Sequence, residues 1–100
     1  LALAPGEYQL QGNVRVDNLR NERGLQWRVV CADDDRRVLA ETERVSGTEP
    51  WQPFSAVFSV PERACRAQWL QLTLAARIPA EQYISGQAWY DDLRIIRQRP

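Results

Sequence analysis

The amino-acid sequence predicts an all-β fold, an antiparallel β-sandwich, on three observations. About six short segments alternate apolar with polar residues, turn signals separate them at regular spacing, and no segment of useful length carries the helical period. The clearest segment is 67–77, where Leu70, Leu72, Leu74 and Ala76 recur at every second position. Trp69, Gln71, Thr73, Ala75 and Arg77 take the other phase. One side of this strand should seal the core, and the other is mostly polar with one large ring on it. We take it as the strand around which the chain is organised.

The first element spans 7–17, with Tyr8, Leu10, Gly12, Val14 and Val16 set against Gln9, Gln11, Asn13 and Arg15. The turn signal Pro5-Gly6 precedes it, and Gly12 in the apolar phase predicts a bulge or the close passage of a bulky neighbour. Residues 18–24 are polar, end in glycine and are expected to be a loop. Leu25, Trp27, Val29 and Cys31 then point inward on a second strand, with Gln26, Arg28 and Val30 outward.

The charged run Asp33-Asp34-Asp35-Arg36-Arg37 fits a hairpin turn better than a calcium loop, since it lacks the glycine and distal glutamate of an EF-hand. Residues 38–43 form a short strand and 46–50 a loop. Trp51 leads into a strand with Phe54, Ala56, Phe58 and Val60 inward, Pro53 belonging at its entrance or on an edge, and is expected to plug an end of the sandwich. After the leucine strand, 78–85 is a loop carrying Tyr83. The last strand, 86–97, places Trp89, Leu93 and Ile95 in the inward phase and Tyr90, Arg94 and Ile96 in the other.

One hundred residues with 44% hydrophobics suit a single sandwich domain, 1–100, with no room for a separate catalytic domain. Thirteen basic residues, all arginine, balance thirteen acidic ones and form no block. That excludes a general attraction to nucleic acid or anionic lipid. No apolar run approaches the roughly 20 residues of a membrane span, and 1–5 lacks the regions of a signal peptide. The chain starts without methionine in the approach to a strand, so it is expected to be the C-terminal fragment of a larger protein.

Cys31 and Cys65 leave two readings open, a buried free thiol at Cys31 or a Cys31–Cys65 disulfide. A bridge would imply an oxidising compartment, the periplasm or the cell surface.

Four stretches carry a resemblance across nearly the whole chain. They are Pro-Gly-x-Tyr-x-Leu at 5–10, Trp51-Gln-Pro-Phe running to Val60-Pro61, the Leu-x-Leu-x-Leu at 70–74, and Trp89-Tyr-Asp-Asp-Leu-Arg-Ile95. Together they resemble the carbohydrate-binding modules of families four and nine, which belong to the galactose-binding-like jelly rolls. The resemblance implies a jelly-roll-like sandwich lacking its first strands, since such modules normally begin with some tens of further residues. Domains of this look also occur behind tetratricopeptide repeats in bacterial proteins, as accessory domains. In the resembled modules an acidic residue near the last strand helps hold a structural calcium, which brings Asp91 and Asp92 forward as metal candidates.

Catalysis has little to stand on. The absence of histidine removes the commonest general base, the triads built on it and the usual zinc ligand. Glu41 with Glu43, and Asp91 with Asp92, are carboxylate pairs without a distinguishing mark. The phase of Asp91 sends it partly inward, where it needs a main-chain amide or an arginine such as Arg15, Arg28 or Arg77. Trp69, by contrast, points away from the leucines.

Trp69 either packs beneath a loop or an upstream strand or serves as a stacking platform, with Gln71, Gln26 and Arg28 bonding sugar hydroxyls. Glutamines 9 and 11 and Asn13 offer the same chemistry on other strands. The expectation is therefore a non-catalytic, candidate carbohydrate-binding module without a cofactor, and the rival is a structural or protein-interaction domain. Its partner is a glycan or a protein, with no nucleic acid and no membrane insertion. An exposed edge strand also makes a homodimer a reasonable expectation.

Overall fold

The computed structural model describes residues 1–21, 23–74 and 84–98. They form six strands, β1 (Gly6–Arg20), β2 (Leu25–Cys31), β3 (Asp34–Glu41), β4 (Gly47–Val60), β5 (Gln68–Leu74) and β6 (Ser85–Arg97). These make two antiparallel three-stranded sheets, ordered β4-β1-β6 and β3-β2-β5. The expected all-β architecture is the observed one. Expectations concerning Ala75, Ala76, Arg77, Tyr83 and the loop from Ile78 lie outside the described residues.

The interior is organised around β1 rather than around the leucine strand. Tyr8, Leu10, Val14, Val16 and Leu19 are all buried on β1 and anchor two adjoining apolar clusters. The first also holds Val29, Phe58 and Val60, while the second takes in Phe54 and Tyr90 at its margin. Burying a leucine such as Leu10 contributes about 2 to 3 kcal/mol. Gly12 takes the inward slot between Leu10 and Val14 because a Cβ there would lie 2.9 Å from the Phe54 ring.

Among the described residues β5 lies at the edge of the second sheet, paired with β2 on one side. Leu70 packs against the core from partly buried ground, and Leu72 is 45% exposed although it shares the inward phase. Alternation alone could not distinguish a central strand from an edge. The start of β5 is held instead by chemistry. Cys31 and Cys65 are joined in a disulfide with their Cα atoms 5.1 Å apart, so the free-thiol reading falls. The buried Gln68 amide donates to the Cys65 carbonyl at 2.9 Å and accepts from the Leu3 amide at 2.9 Å.

Several boundaries differ from expectation. β1 runs on to Arg20, and the loop after it shrinks around Asn21, whose side-chain oxygen accepts the amides of Arg23 at 3.0 Å and Gly24 at 2.8 Å. The turn between β2 and β3 is confined to Ala32 and Asp33, so Asp34 already belongs to a strand. β4 starts at Gly47, so the stretch expected as a loop, 46–50, is mostly strand, and Trp51 sits within it rather than plugging an end. Pro50 and Pro53 are tolerated because β4 is an edge strand.

The inward phase assigned to Trp89 and Asp91 is overturned by a bulge. Asn13 pairs with Asp91 and Gln11 with Arg94, so Asp92 and Leu93 together face the single residue Gly12. Asp92 takes a positive φ of 55° to accommodate the extra residue. Everything before it is thereby switched to the other side. Tyr90 faces inward beside Val14, whereas Trp89 faces outward beside Arg15 and is 37% exposed. Asp91 faces outward with Asn13 and is exposed, so it carries no burial cost.

Candidate functional site

The residues anticipated for ligand binding share one surface, the outer face of the second sheet. Val30 pairs with Trp69, Arg28 with Gln71 and Gln26 with Thr73. Trp69 is 57% exposed there and stands as the lone ring on that face among the described residues. Its neighbours are less available. Gln26 is buried, its Nε2 donating to Glu41 Oε2 at 3.3 Å, and Arg28 is half-buried with its Nε sealed from solvent.

The outer face of the first sheet is better equipped. Gln9, Gln11, Asn13 and Arg15 form its central row, because β1 turns every apolar alternate residue into the core. β4 sets Val57, Ser55 and Pro53 beside Gln9, Gln11 and Asn13, and β6 sets Ile96, Arg94 and Asp91 on the opposite side. At the far end Arg15 faces Trp89 on β6, its guanidinium carbon 4.8 Å from the ring centroid. The break in register between Val14 and Val16 leaves Trp51 and Pro50 opposite Arg15 on β4. Trp51, 49% exposed, therefore continues the outward phase of Pro53 and flanks Arg15 from the other side.

A depression of about 550 Å³ is lined by Gln9, Gln11, Asn13, Ser55, Asp92 and Arg94 of this sheet, together with the inward-phase Gly12 and Phe54 and with Glu43. Gln9 accepts a bond from Gln98 Nε2 at 3.0 Å, and Arg94 is paired with Asp92 at 2.6 Å. The polar ends of Gln11, Asn13 and Ser55 make no hydrogen bond within the described residues, so their donors and acceptors are open to a ligand. Rings at one end and unspent amides along the row are the two ingredients of sugar recognition.

Asp91 accepts the Asp92 amide at 2.8 Å, one of the partners anticipated for it, and Asp92 is neutralised by Arg94. Among the described residues no group of three or more His, Cys, Asp or Glu side chains converges. Glu41 is engaged with Gln26, and Glu43 borders the depression from the side of the second sheet.

Beneath the face lies an aromatic trio created by the β6 bulge. Tyr90 meets Trp27 edge-on with ring centroids 5.4 Å apart and Phe54 at 5.8 Å. Among the described residues the Tyr90 hydroxyl and Trp27 Nε1 are buried without hydrogen-bond partners, and desolvation pushes the Tyr90 phenol up to about 12. Of this trio, the Phe54 ring lies directly under Gly12. Sequence reasoning missed Trp51 and Trp89 as surface rings. No local signal marked Trp89, since Tyr90 and Ile95, five positions apart, share a face only because the bulge at Asp92 adds a residue between them.

Comparison with known proteins gives no match for this chain, whether to a family model, a curated protein or a solved structure. Among the described residues no helix is long and apolar enough to cross a membrane.

Proposed function

We propose that this domain is a non-catalytic recognition module that binds a polysaccharide across the outer face of the β4-β1-β6 sheet. The observation that carries this reading is the placement of Trp51 and Trp89 on either side of Arg15, in line with the unspent polar groups of Gln11, Asn13 and Ser55. The apolar face of a pyranose stacks on a ring while its hydroxyls exchange bonds with amides and guanidinium groups. The mixed charges at Arg15, Arg94, Asp91 and Asp92 favour an uncharged glycan over a strongly anionic one. Trp69, Gln71 and Arg28 make a weaker second candidate face, with one ring and a half-buried arginine. The disulfide suits an oxidising setting such as the periplasm or the cell surface.

Affinity electrophoresis against a panel of neutral polysaccharides tests the reading. Retardation by at least one of them should fall about tenfold or more in Trp89→Ala and Trp51→Ala, as expected for losing a stacked ring, and persist in Trp69→Ala. If Trp69→Ala alone abolishes retardation, the site moves to the other sheet. If no polysaccharide retards the wild-type chain, a structural or protein-interaction role replaces sugar binding.

A further inference from the structure

Between the inner face of the first sheet and the segment 42–45 that follows β3 lies a cavity of about 40 Å³, walled by Val14, Val45, Phe54 and Tyr90. Val45 is fixed there by two main-chain bonds with Leu25, of 3.0 and 2.9 Å. Gln52 and Glu43 add its available polar groups. Gln52 pairs with Val14 and so takes the inward phase of β4, which continues as the apolar Phe54, Ala56, Phe58 and Val60. A half-buried amide in that phase calls for a partner, and among the described residues it has none. The Glu43 carboxylate, exposed at the mouth, is also unpaired among the described residues. Thr42 is spent, since its hydroxyl accepts the Trp27 amide at 2.9 Å, and the Tyr90 hydroxyl is sealed from solvent and out of reach.

Glu43, Pro53 and Phe54 border this cavity and also the depression beside Gln11 and Asn13. The two therefore meet along β4, which pairs with β1 alone among the described residues. A sugar lying in the depression can direct one ring substituent into the cavity. Size selects that substituent. A water-sized group needs about 10 to 15 Å³, so roughly three heavy atoms fit, the number in an acetyl group. A hydroxyl underfills the space. Polarity selects as well, because apolar walls make the burial of an ammonium or a carboxylate costly, and a carboxylate would also meet Glu43.

We propose, resting on the glycan reading above, that this cavity receives the acetamido group of an N-acetylated sugar, so that the bound polysaccharide is one built on N-acetylhexosamine units. Gln52 Nε2 donates to the acetyl carbonyl, and the Glu43 carboxylate accepts the acetamido N–H at the mouth. The methyl group packs against Val14, Val45 and the Phe54 and Tyr90 side chains. Carbonyl, N–H and methyl each meet the kind of surface they require. Such a ligand is uncharged, as the mixed charges of the outer face favour.

Isothermal titration of the full chain with short β-linked oligomers of N-acetylglucosamine, glucose and glucosamine separates the cases, because these differ in a single ring substituent. The N-acetylglucosamine oligomer should bind about tenfold or more tightly than the other two, as expected for an added hydrogen bond and a buried methyl. Gln52→Leu should erase that margin and leave the affinity for the glucose oligomer unchanged, with an unaltered near-ultraviolet circular dichroism spectrum showing that it is folded. Glu43→Ala, at an exposed position that does not endanger folding, should cut the margin about threefold or more. Saturation transferred from the protein methyl groups should fall most strongly on the acetyl methyl of the ligand. Equal binding of the three oligomers, or a margin that survives in Glu43→Ala and in folded Gln52→Leu, overturns the acetamido site while the glycan reading stands. So does tighter binding of the glucosamine oligomer, or binding of a polysaccharide free of acetamido groups by a chain that ignores the N-acetylglucosamine oligomer. If no saccharide binds at all, both readings fall together.

Discussion

β1 and β5 are written in the same alternating code and meet opposite fates. Leu10 on β1 is fully buried, whereas Leu72 on β5 is 45% exposed. The period of two says which side chains share a face, but whether that face is covered depends on what lies to either side. β1 has β4 and β6 as neighbours and most of the core beneath it, while among the described residues β5 pairs with β2 alone. β5 is correspondingly fastened by other means, the Cys31–Cys65 bridge and the hydrogen bonds of Gln68.

The sharpest way to break this contrast is Leu10→Ala. Removing a fully enclosed side chain should cost about 3 to 5 kcal/mol, seen in urea as a lower midpoint at unchanged slope. A cost below about 1 kcal/mol would mean that β1 does not organise the core. Replacing both cysteines by serine comes next. The bridge spans 34 residues in sequence, and a loop of that size predicts a loss of about 3 to 4 kcal/mol. Hydrogen exchange in the variant should rise first in β5 and last in β1.

A smaller effect of opposite sign is expected at Tyr90. Its hydroxyl is buried without a partner among the described residues, so Tyr90→Phe should stabilise the fold by about 1 kcal/mol. The pH dependence follows from the raised phenol. Because the folded value lies above the unfolded one, the contribution of the neutral ring is intact below pH 10 and is lost as pH rises through about 12. The phenylalanine variant should lose less stability across that interval. The smallest effect belongs to Leu72→Ala, under about 1 kcal/mol at concentrations where the chain is monomeric, because nearly half of that side chain is already in water.

Much of the architecture was legible because it depends on local pattern. The alternation in β1, the glycine at position 12 beneath a bulky ring, and the proline on an edge strand all follow from sterics within a few residues. The amide row Gln9, Gln11 and Asn13 was equally visible as a polar phase. The rings that complete the candidate site were not. Trp89 was assigned to the core because strict alternation was carried through Asp91 and Asp92, where the strand inserts an extra residue. Trp51 was misplaced because 46–50 read as a loop, which set the ring at the entrance of the strand, whereas β4 already begins at Gly47.

By itself the chain of residues determined the fold class, the two faces of each unbroken run of strand and the apolar side chains available to a core, since these rest on the two-residue period of an extended backbone. Tertiary structure alone decided which strands lie in the middle and which at an edge, and so which ladder is covered. It also decided where β6 slips by one residue to satisfy its pairing with β1, and that slip carries Trp89 to the surface and Tyr90 to the core. The physical reason is that main-chain hydrogen bonding to a neighbour, a long-range property, fixes the sense in which a local alternation is read.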